Sequence, residues 1–275
     1  MKLLSYRVRK IANKKKGYDT MIPFEGVDTN FSLEGYTAII TGGAAGIGYA
    51  TAEFFAKKGV NLIIADLNPK AEEIAKELSP KAIGISGDIT NGDYRKTVLE
   101  EGVKAFGKVD ILVNCAGIVA LEKAECISES DWDKTMEINL KSSFMMAQLV
   151  GSYFIKNKIA GSIVNMASQA GVIALDRHVA YCASKGAIIA MTKVLAYEWG
   201  TYGIRVNAVS PTVVLTALGH KAWDGEVGEA FKQEMPSKRF AEPEEIAGVI
   251  AFLCSKSARM ITGHNLLVDG GYTIK

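Results

Sequence analysis

Tyr181 and Lys185 stand four residues apart in Tyr181-Cys182-Ala183-Ser184-Lys185, at the head of an apolar, small-residue run, Gly186 to Trp199, that has the pattern of a helix. Residues at that spacing on a helix share one face. An ammonium beside a phenol favours the phenolate, so the pKa of Tyr181 is expected to fall below its ordinary value of about 10. A phenol poised nearer neutrality can take a proton from an alcohol or give one to a carbonyl. The pair alone proves little, because tyrosine and lysine fall at this spacing on many helices that do no chemistry. What decides is whether the chain also supplies a partner for the proton transfer.

A partner is suggested near the start. Tyr36–Ile40 is rich in strand-forming residues and runs into Thr41-Gly42-Gly43-Ala44-Ala45-Gly46-Ile47-Gly48, followed by the helical Tyr49–Lys58. Glycines at a strand-to-helix turn permit a tight bend and close backbone approach. The helix start then offers free N–H groups and a positive dipole end to a pyrophosphate. A second strand, Asn61–Ala65, ends in Asp66. A carboxylate roughly 20 residues past the glycines can hold both ribose hydroxyls and repel a 2′-phosphate. Ala45, Leu67 and Asn68 supply no cation to that phosphate, so the expected cofactor is NAD rather than NADP.

These groups need a scaffold, and the alternation of elements gives one. After Asp66 the helix Pro69–Leu78 leads to a strand, Lys81–Ser86, with Asp88-Ile89 beyond it. The helix Asp93–Phe106 leads to Asp110–Val113 and Asn114-Cys115-Ala116-Gly117. A long helical stretch from Asp131 to about Lys156 contains Asn139, and the strand Ser162–Met166 ends at Ala167-Ser168. Beyond the Tyr181 helix come Ile204–Val209, a Gly-interrupted, charge-rich stretch over 215–238 with the character of a flap, the helix Pro243–Leu253 and a last strand, Asn265–Val268. Strands alternating with helices of this length predict a parallel sheet covered on both faces. Ligands of such sheets bind beyond the carboxyl ends of the strands, where Asp66, Asp88, Asn114, Ser168 and Ser210 all fall.

Seven of the 32 basic residues lie within residues 1–16, which hold no acid, leaving 25 against 30 acidic residues in the remainder. That mildly acidic body gives no reason to expect nucleic acid. The basic start could be an amphipathic helix, a presequence or a solvated tail; being Lys-rich with one serine, it is read as a non-catalytic extension, residues 1–31, docked on a neighbouring subunit. Residues 32–275 form the domain. No apolar run of the ~20 residues that span a bilayer is evident, so no membrane partner is expected. Cys115, Cys126, Cys182 and Cys254 are scattered without metal-ligand spacing, which predicts free thiols, a cytoplasmic location and no metal.

Thr41-Gly42…Gly46-Ile47-Gly48, Asp88, Asn114…Ala116-Gly117, Asn139, Ser168 and Tyr181…Lys185, in this order and with these gaps, resemble the short-chain dehydrogenase/reductase family from about Ser32 to the C-terminus. Two positions depart from the family's pattern: Cys115 replaces a usual Asn, and Thr212 replaces the Gly that usually follows the proline. The resemblance implies a single α/β domain, a doubly wound Rossmann-type parallel sheet with helices on both faces. It also implies roles. Tyr181 would be the general base in alcohol oxidation, with Lys185 lowering its pKa and binding the nicotinamide ribose. Ser168 would hold the substrate oxygen, and Asn139 would anchor a water linking Lys185 to solvent. Cofactor contacts would come from Gly42, Ile47, Asp66, Asp88, Ile89, Asn114, Lys185 and, through its backbone, Val213. Pairing of the helices near 131–156 and 181–200 would build a dimer, within a homotetramer.

Further stretches, Asn165–Gln169, Ala174–Lys185, Ser210–Thr216 and Asp269–Lys275, are similar to a branch of that family that acts on small polyols. A polyol or ketose substrate needs a second polar contact, and Gln169 or His178 could hydrogen-bond its further hydroxyl. Trp223 is expected either to close over the substrate or simply to pack on the flap. Two other functions compete. A 3-oxoacyl-carrier-protein reductase would use NADPH and want a cation near Ala45 or Asp66. A silent dinucleotide-binding scaffold would have lost Tyr181, Ser168 or Lys185.

Overall fold

The structure, a computed structural model, describes residue 26, residues 28–217, residue 219 and residues 223–274. Most of the basic extension, including residues 1–16, lies outside the described residues. Seven parallel strands form one sheet in the order β3-β2-β1-β4-β5-β6-β7. They are β1 (Thr37–Thr41), β2 (Asn61–Asp66), β3 (Ala82–Ser86), β4 (Ile111–Asn114), β5 (Ser162–Met166), β6 (Arg205–Pro211) and β7 (Asn265–Val268). Successive strand residues point to opposite faces, and both faces are covered. In β1, Ala38 and Ile40 therefore join one core, with Phe55 and Ile246, while Ile39 joins the other, with Met146 and Phe154.

The helices are α1 (Gly46–Lys57), α2 (Ala71–Leu78), α3 (Gly92–Phe106), α4 (Glu129–Met136), α5 (Ser142–Asn157), α6 (Val179–Trp199), α7 (Glu226–Glu234) and α8 (Pro243–Cys254). Their ends follow local chemistry. Asn91 caps α3 by accepting from the N–H groups of Asp93 and Tyr94, and Gly107, left-handed at φ 79°, ends it. Within the flap, expected to be helical over 215–238, the described residues Ala217, Gly219 and Trp223 are helical, as is α7.

Two points arise here. The stretch expected to be helical from Asp131 to about Lys156 is helical throughout, as α4 and α5 joined by a π-turn, Glu137–Lys141, with Asn139 buried at its centre. A π-turn inserts one residue into the α-helical ladder and is often found at functional sites. Second, Val179–Tyr202 is long and apolar enough, by length and composition alone, to cross a membrane, with a mean hydropathy of 1.3, although no such run was evident in the sequence. In the fold this helix packs over the sheet, with Ile188 and Leu195 buried against its residues, while Val194 and Tyr197 are exposed.

The chain leaves β1 for β2 on one side and returns to β4 on the other. That switch of direction opens a crevice beyond the carboxyl ends of β1 and β4.

Candidate functional site

The loop after β1 fills the floor of this crevice. A Cβ on Gly42 (φ 65°) would lie 2.9 Å from the backbone of Ala116, in the loop after β4. Thr41 Oγ1 binds the two loops together by accepting the N–H groups of Cys115 and Ala116, both at 3.2 Å. A Cβ on Gly48 would meet the Gly42 carbonyl oxygen at 2.1 Å, so only glycine lets α1 start this close to the turn. The first turn of α1 holds no acidic residue, and Ala45 at its N-cap gives no side-chain hydrogen bond. Its N–H groups are thus left to an anion. Gly48→Ala is expected to weaken NADH binding at least tenfold in a fluorescence titration; unchanged affinity would show that the turn is not a cradle.

Asp66, at the end of β2, accepts the N–H of Ala44 and the N–H of Asn68, each at 2.9 Å. These bonds fix a carboxylate beside the glycine turn, where it suits a ribose with free hydroxyls and opposes a 2′-phosphate. Asp88 is exposed after β3 and accepts the N–H of Thr90 at 2.8 Å, and the Ile89 carbonyl accepts from Arg95 at 2.6 Å. Asn114 is buried at the end of β4 and donates to the Ser143 carbonyl and to Asn165 Oδ1, at 3.1 and 2.9 Å. The Val213 carbonyl accepts the N–H of Ala241 at 3.1 Å, which ties this segment to the start of α8. These residues suit an NAD-type dinucleotide.

Lys185 is 3% exposed, and its ammonium donates to the Met166 carbonyl at the end of β5, at 2.7 Å. It lies 5.5 Å from the centre of the Tyr181 ring. Burial lowers the pKa of Lys185 to about 8. The same burial raises that of Tyr181, and the neighbouring Ser168 hydroxyl, which can donate to a phenolate, offsets part of the rise. The expected acidification of Tyr181 by Lys185 is therefore absent from the chain alone. Taking both groups out of water disfavours the charged form of each. Burial also pushes the Cys115 thiol up to about 12, so the position departing from the family's Asn holds a neutral thiol.

Asn139 is fully buried. Its Oδ1 accepts the Ile118 N–H at 2.8 Å, and its Nδ2 donates to the Ile118 carbonyl at 2.9 Å and to Ser184 Oγ at 3.1 Å. The side chain thus pins the loop after β4 to α6, one residue from Lys185. The main-chain carbonyl of Asn139 also accepts from Ser143 Oγ, at 2.8 Å.

Ser168 and Tyr181 open into a cavity of about 690 Å³ beyond the ends of β5 and β6. Ile47, from the glycine turn, lines the same cavity, as do Gln169, His178 and Trp223. His178 is the N-cap of α6 rather than part of it, and its Nδ1 pairs with the Asp176 carbonyl at 2.5 Å. Trp223 packs on Phe231 and Phe240, with ring centres 4.8 and 6.1 Å away, and also faces the cavity. Tyr272, from the C-terminal segment, completes this wall by stacking on Phe231 at 4.5 Å. Sequence reasoning missed it, although Asp269, which accepts from Gly271 and Thr273, fixes the turn that presents it.

Comparison with known proteins places this geometry among related chains. A family model described as enoyl-(acyl carrier protein) reductase matches residues 42–273. The chain is 51% identical over 253 residues to an NAD-dependent glycerol dehydrogenase of Listeria innocua serovar 6a, covering 92% of this chain and 99% of that one. It is 49% identical to a D-threitol dehydrogenase of Mycolicibacterium smegmatis, covering 90% and 97%. A solved structure of a short chain dehydrogenase from Bacillus anthracis superposes with a TM-score of 0.80 at 34% identity, covering 88% and 98%.

Proposed function

The chain belongs to the short-chain dehydrogenase/reductase family, and on that premise we propose that it is an NAD-dependent dehydrogenase interconverting a secondary alcohol of a small polyol or diol and the corresponding ketone. The observation that supports this most is that Tyr181 and Ser168 line the same cavity as Ile47 of the glycine turn. A proton-handling pair thus stands at the mouth of a dinucleotide cradle. The glycerol and threitol dehydrogenases, at about half identity along nearly their whole length, support the substrate class. Asp66, without a neighbouring cation, supports NAD over the NADPH of an acyl-carrier reductase.

The cradle of Gly42, Ile47 and Asp66 would hold the dinucleotide, with Asp88, Ile89, Asn114 and the Val213 backbone along its length. When bound, oxidised nicotinamide supplies the hydride acceptor and a positive charge. In this reading Ser168 donates to the substrate oxygen and orients it. Tyr181 takes the hydroxyl proton in oxidation and returns it in reduction. Lys185 holds the phenolate and the nicotinamide ribose, and Asn139 keeps the Ile118 loop and α6 in register around it while its carbonyl holds the water that passes the proton on. Positioning and proton transfer are the protein's main contributions.

The same proposal includes a cytoplasmic enzyme, consistent with four unpaired thiols, and a dimer across α5 and α6 within a tetramer. On α6, Val194 and Tyr197 are 53% and 88% exposed, which suits such an interface. The deciding experiment follows reduced nicotinamide by absorbance with a panel of diols, tetritols and pentitols, using NAD and NADP in parallel. Turnover of at least one small polyol is expected, with NAD preferred by tenfold or more. Dinucleotide binding without any turnover would favour the silent scaffold, and a preference for NADPH with keto substrates would favour the acyl-carrier reductase.

A further inference from the structure

We propose that Gln169 and Thr212 form a second hydroxyl subsite, which selects substrates bearing a hydroxyl on the carbon next to the one oxidised. The inference rests on the polyol reading and narrows it to vicinal diols. Gln169 is 2% exposed and Thr212 is 8% exposed, yet Gln169 Oε1 and Thr212 Oγ1 are buried without a hydrogen-bond partner among the described residues. Buried polar atoms are almost always paired, so two orphans lining one cavity ask for a partner from within it.

Their placement fits the chemistry. β5 and β6 pair with Met166 opposite Val209, and the Ala167 N–H donates to the Val209 carbonyl. The segments leaving these strands, carrying Ser168-Gln169 and Thr212, therefore lie side by side. Ser168 addresses the reacting oxygen, and Gln169 is its neighbour in sequence. A second hydroxyl, one carbon on, can donate to Gln169 Oε1 and accept from the Thr212 hydroxyl. Val119, Leu121, Leu175 and Val214 give the wall apolar stretches, beside the polar Asp176, Arg177 and Thr216. A monohydric alcohol would leave both oxygens unpaired, and sites built to bind a hydroxyl discriminate strongly against analogues that lack it. His178, the other side chain expected to serve, already uses Nδ1 on Asp176 and sits edge-on to Tyr181, with ring centres 6.0 Å apart. Thr212 also gains a purpose: where the resemblance leads one to expect a Gly, a residue bearing a hydroxyl lines the cavity.

The test compares kcat/KM for 1,2-propanediol and 2-propanol, with NAD, in the full chain and in Gln169→Leu, Thr212→Val and Thr212→Ser, alongside the KM for NAD and melting curves. The diol-to-alcohol ratio is expected to fall roughly 10–100-fold in Gln169→Leu and Thr212→Val, the size expected for stranding a buried polar partner. Thr212→Ser, which keeps the hydroxyl, is expected to retain most of the ratio, and the KM for NAD to stay within about twofold. An unchanged ratio, equal losses on both alcohols, or a raised KM for NAD in Thr212→Val would overturn the subsite while leaving the polyol reading intact. An unsubstituted chain that oxidises 2-propanol but no diol would overturn both.

Discussion

Tyr181→Phe is expected to lower kcat for polyol oxidation by roughly 10²–10⁴-fold, the contribution usual for a positioned general base, while the dissociation constant for NADH changes less than about threefold. The ring fills the same space in both residues, so the wall of the cavity is kept and only the hydroxyl is lost. Stopped or steady turnover read by absorbance, with a fluorescence titration of NADH, separates the two quantities. Near-normal turnover would remove Tyr181 from the mechanism. The pH profile sharpens the test. In the chain alone, burial holds the phenol above its ordinary value. The base form is therefore scarce at neutrality in the chain alone. Activity in the oxidising direction should rise with pH, and this rise should be missing from the residual activity of Tyr181→Phe. A profile that kept the same shape in the variant would assign the titration to another group.

This pH behaviour marks where sequence stops being a sufficient guide. The spacing of Tyr181 and Lys185 revealed which groups meet, because helical periodicity depends on the backbone alone. Their pKa values depend on burial, and burial is decided by what packs from elsewhere: Met166 from β5, Asn139 from the π-turn, Gly117 from the loop after β4. The parallel sheet was legible for a similar reason. Ile39-Ile40, Ile63-Ile64 and Leu112-Val113 are continuous apolar runs between glycine and polar punctuation, and such runs belong to strands covered on both faces. The π-turn was not legible. Glu137-Ile138-Asn139-Leu140-Lys141 has ordinary helical composition, and its widening comes with tertiary bonds from Asn139 to Ile118 and Ser184 that no local pattern contains. Tyr272 escaped notice because its place at the cavity depends on contacts such as its stacking on Phe231, some forty residues earlier in the chain. In each case the parts fixed by local periodicity could be read, and the parts fixed by one long-range contact could not.

Lys185→Met is expected to raise the melting temperature of the empty enzyme at pH 7 while reducing turnover at least 10²-fold, a trade of function for stability at a single side chain. Lys185 is almost fully buried, and burial lowers its pKa from 10.5 to about 8. Below pH 8 both folded and unfolded chains carry the proton, and the folded chain bears the full cost of a desolvated ammonium, about 3 kcal/mol by the size of the shift. From about pH 8 to 10.5 the unfolded chain binds more protons than the folded one, so stability rises with pH through that window and the cost fades. Methionine fills a similar volume without the charge. Its gain at pH 7 should be about 2 kcal/mol once the hydrogen bond to the Met166 carbonyl, worth roughly 1 kcal/mol, is subtracted, or several degrees in a chain of this size. At pH 10.5 the advantage should shrink to nothing. Scanning fluorimetry of both proteins across this range, without dinucleotide, measures it. A variant that melts lower than the parent at pH 7, or by the same margin at both ends, would mean that Lys185 is held in a solvated or paired state and that its charge costs the fold little. The accompanying loss of turnover has a separate cause: without the ammonium, Ser168 alone is left to stabilise the phenolate that Tyr181 must become. NADH affinity should also drop several-fold, because the ribose contact assigned to Lys185 is gone. A variant that gained stability and kept full turnover would detach the buried cation from the reaction altogether.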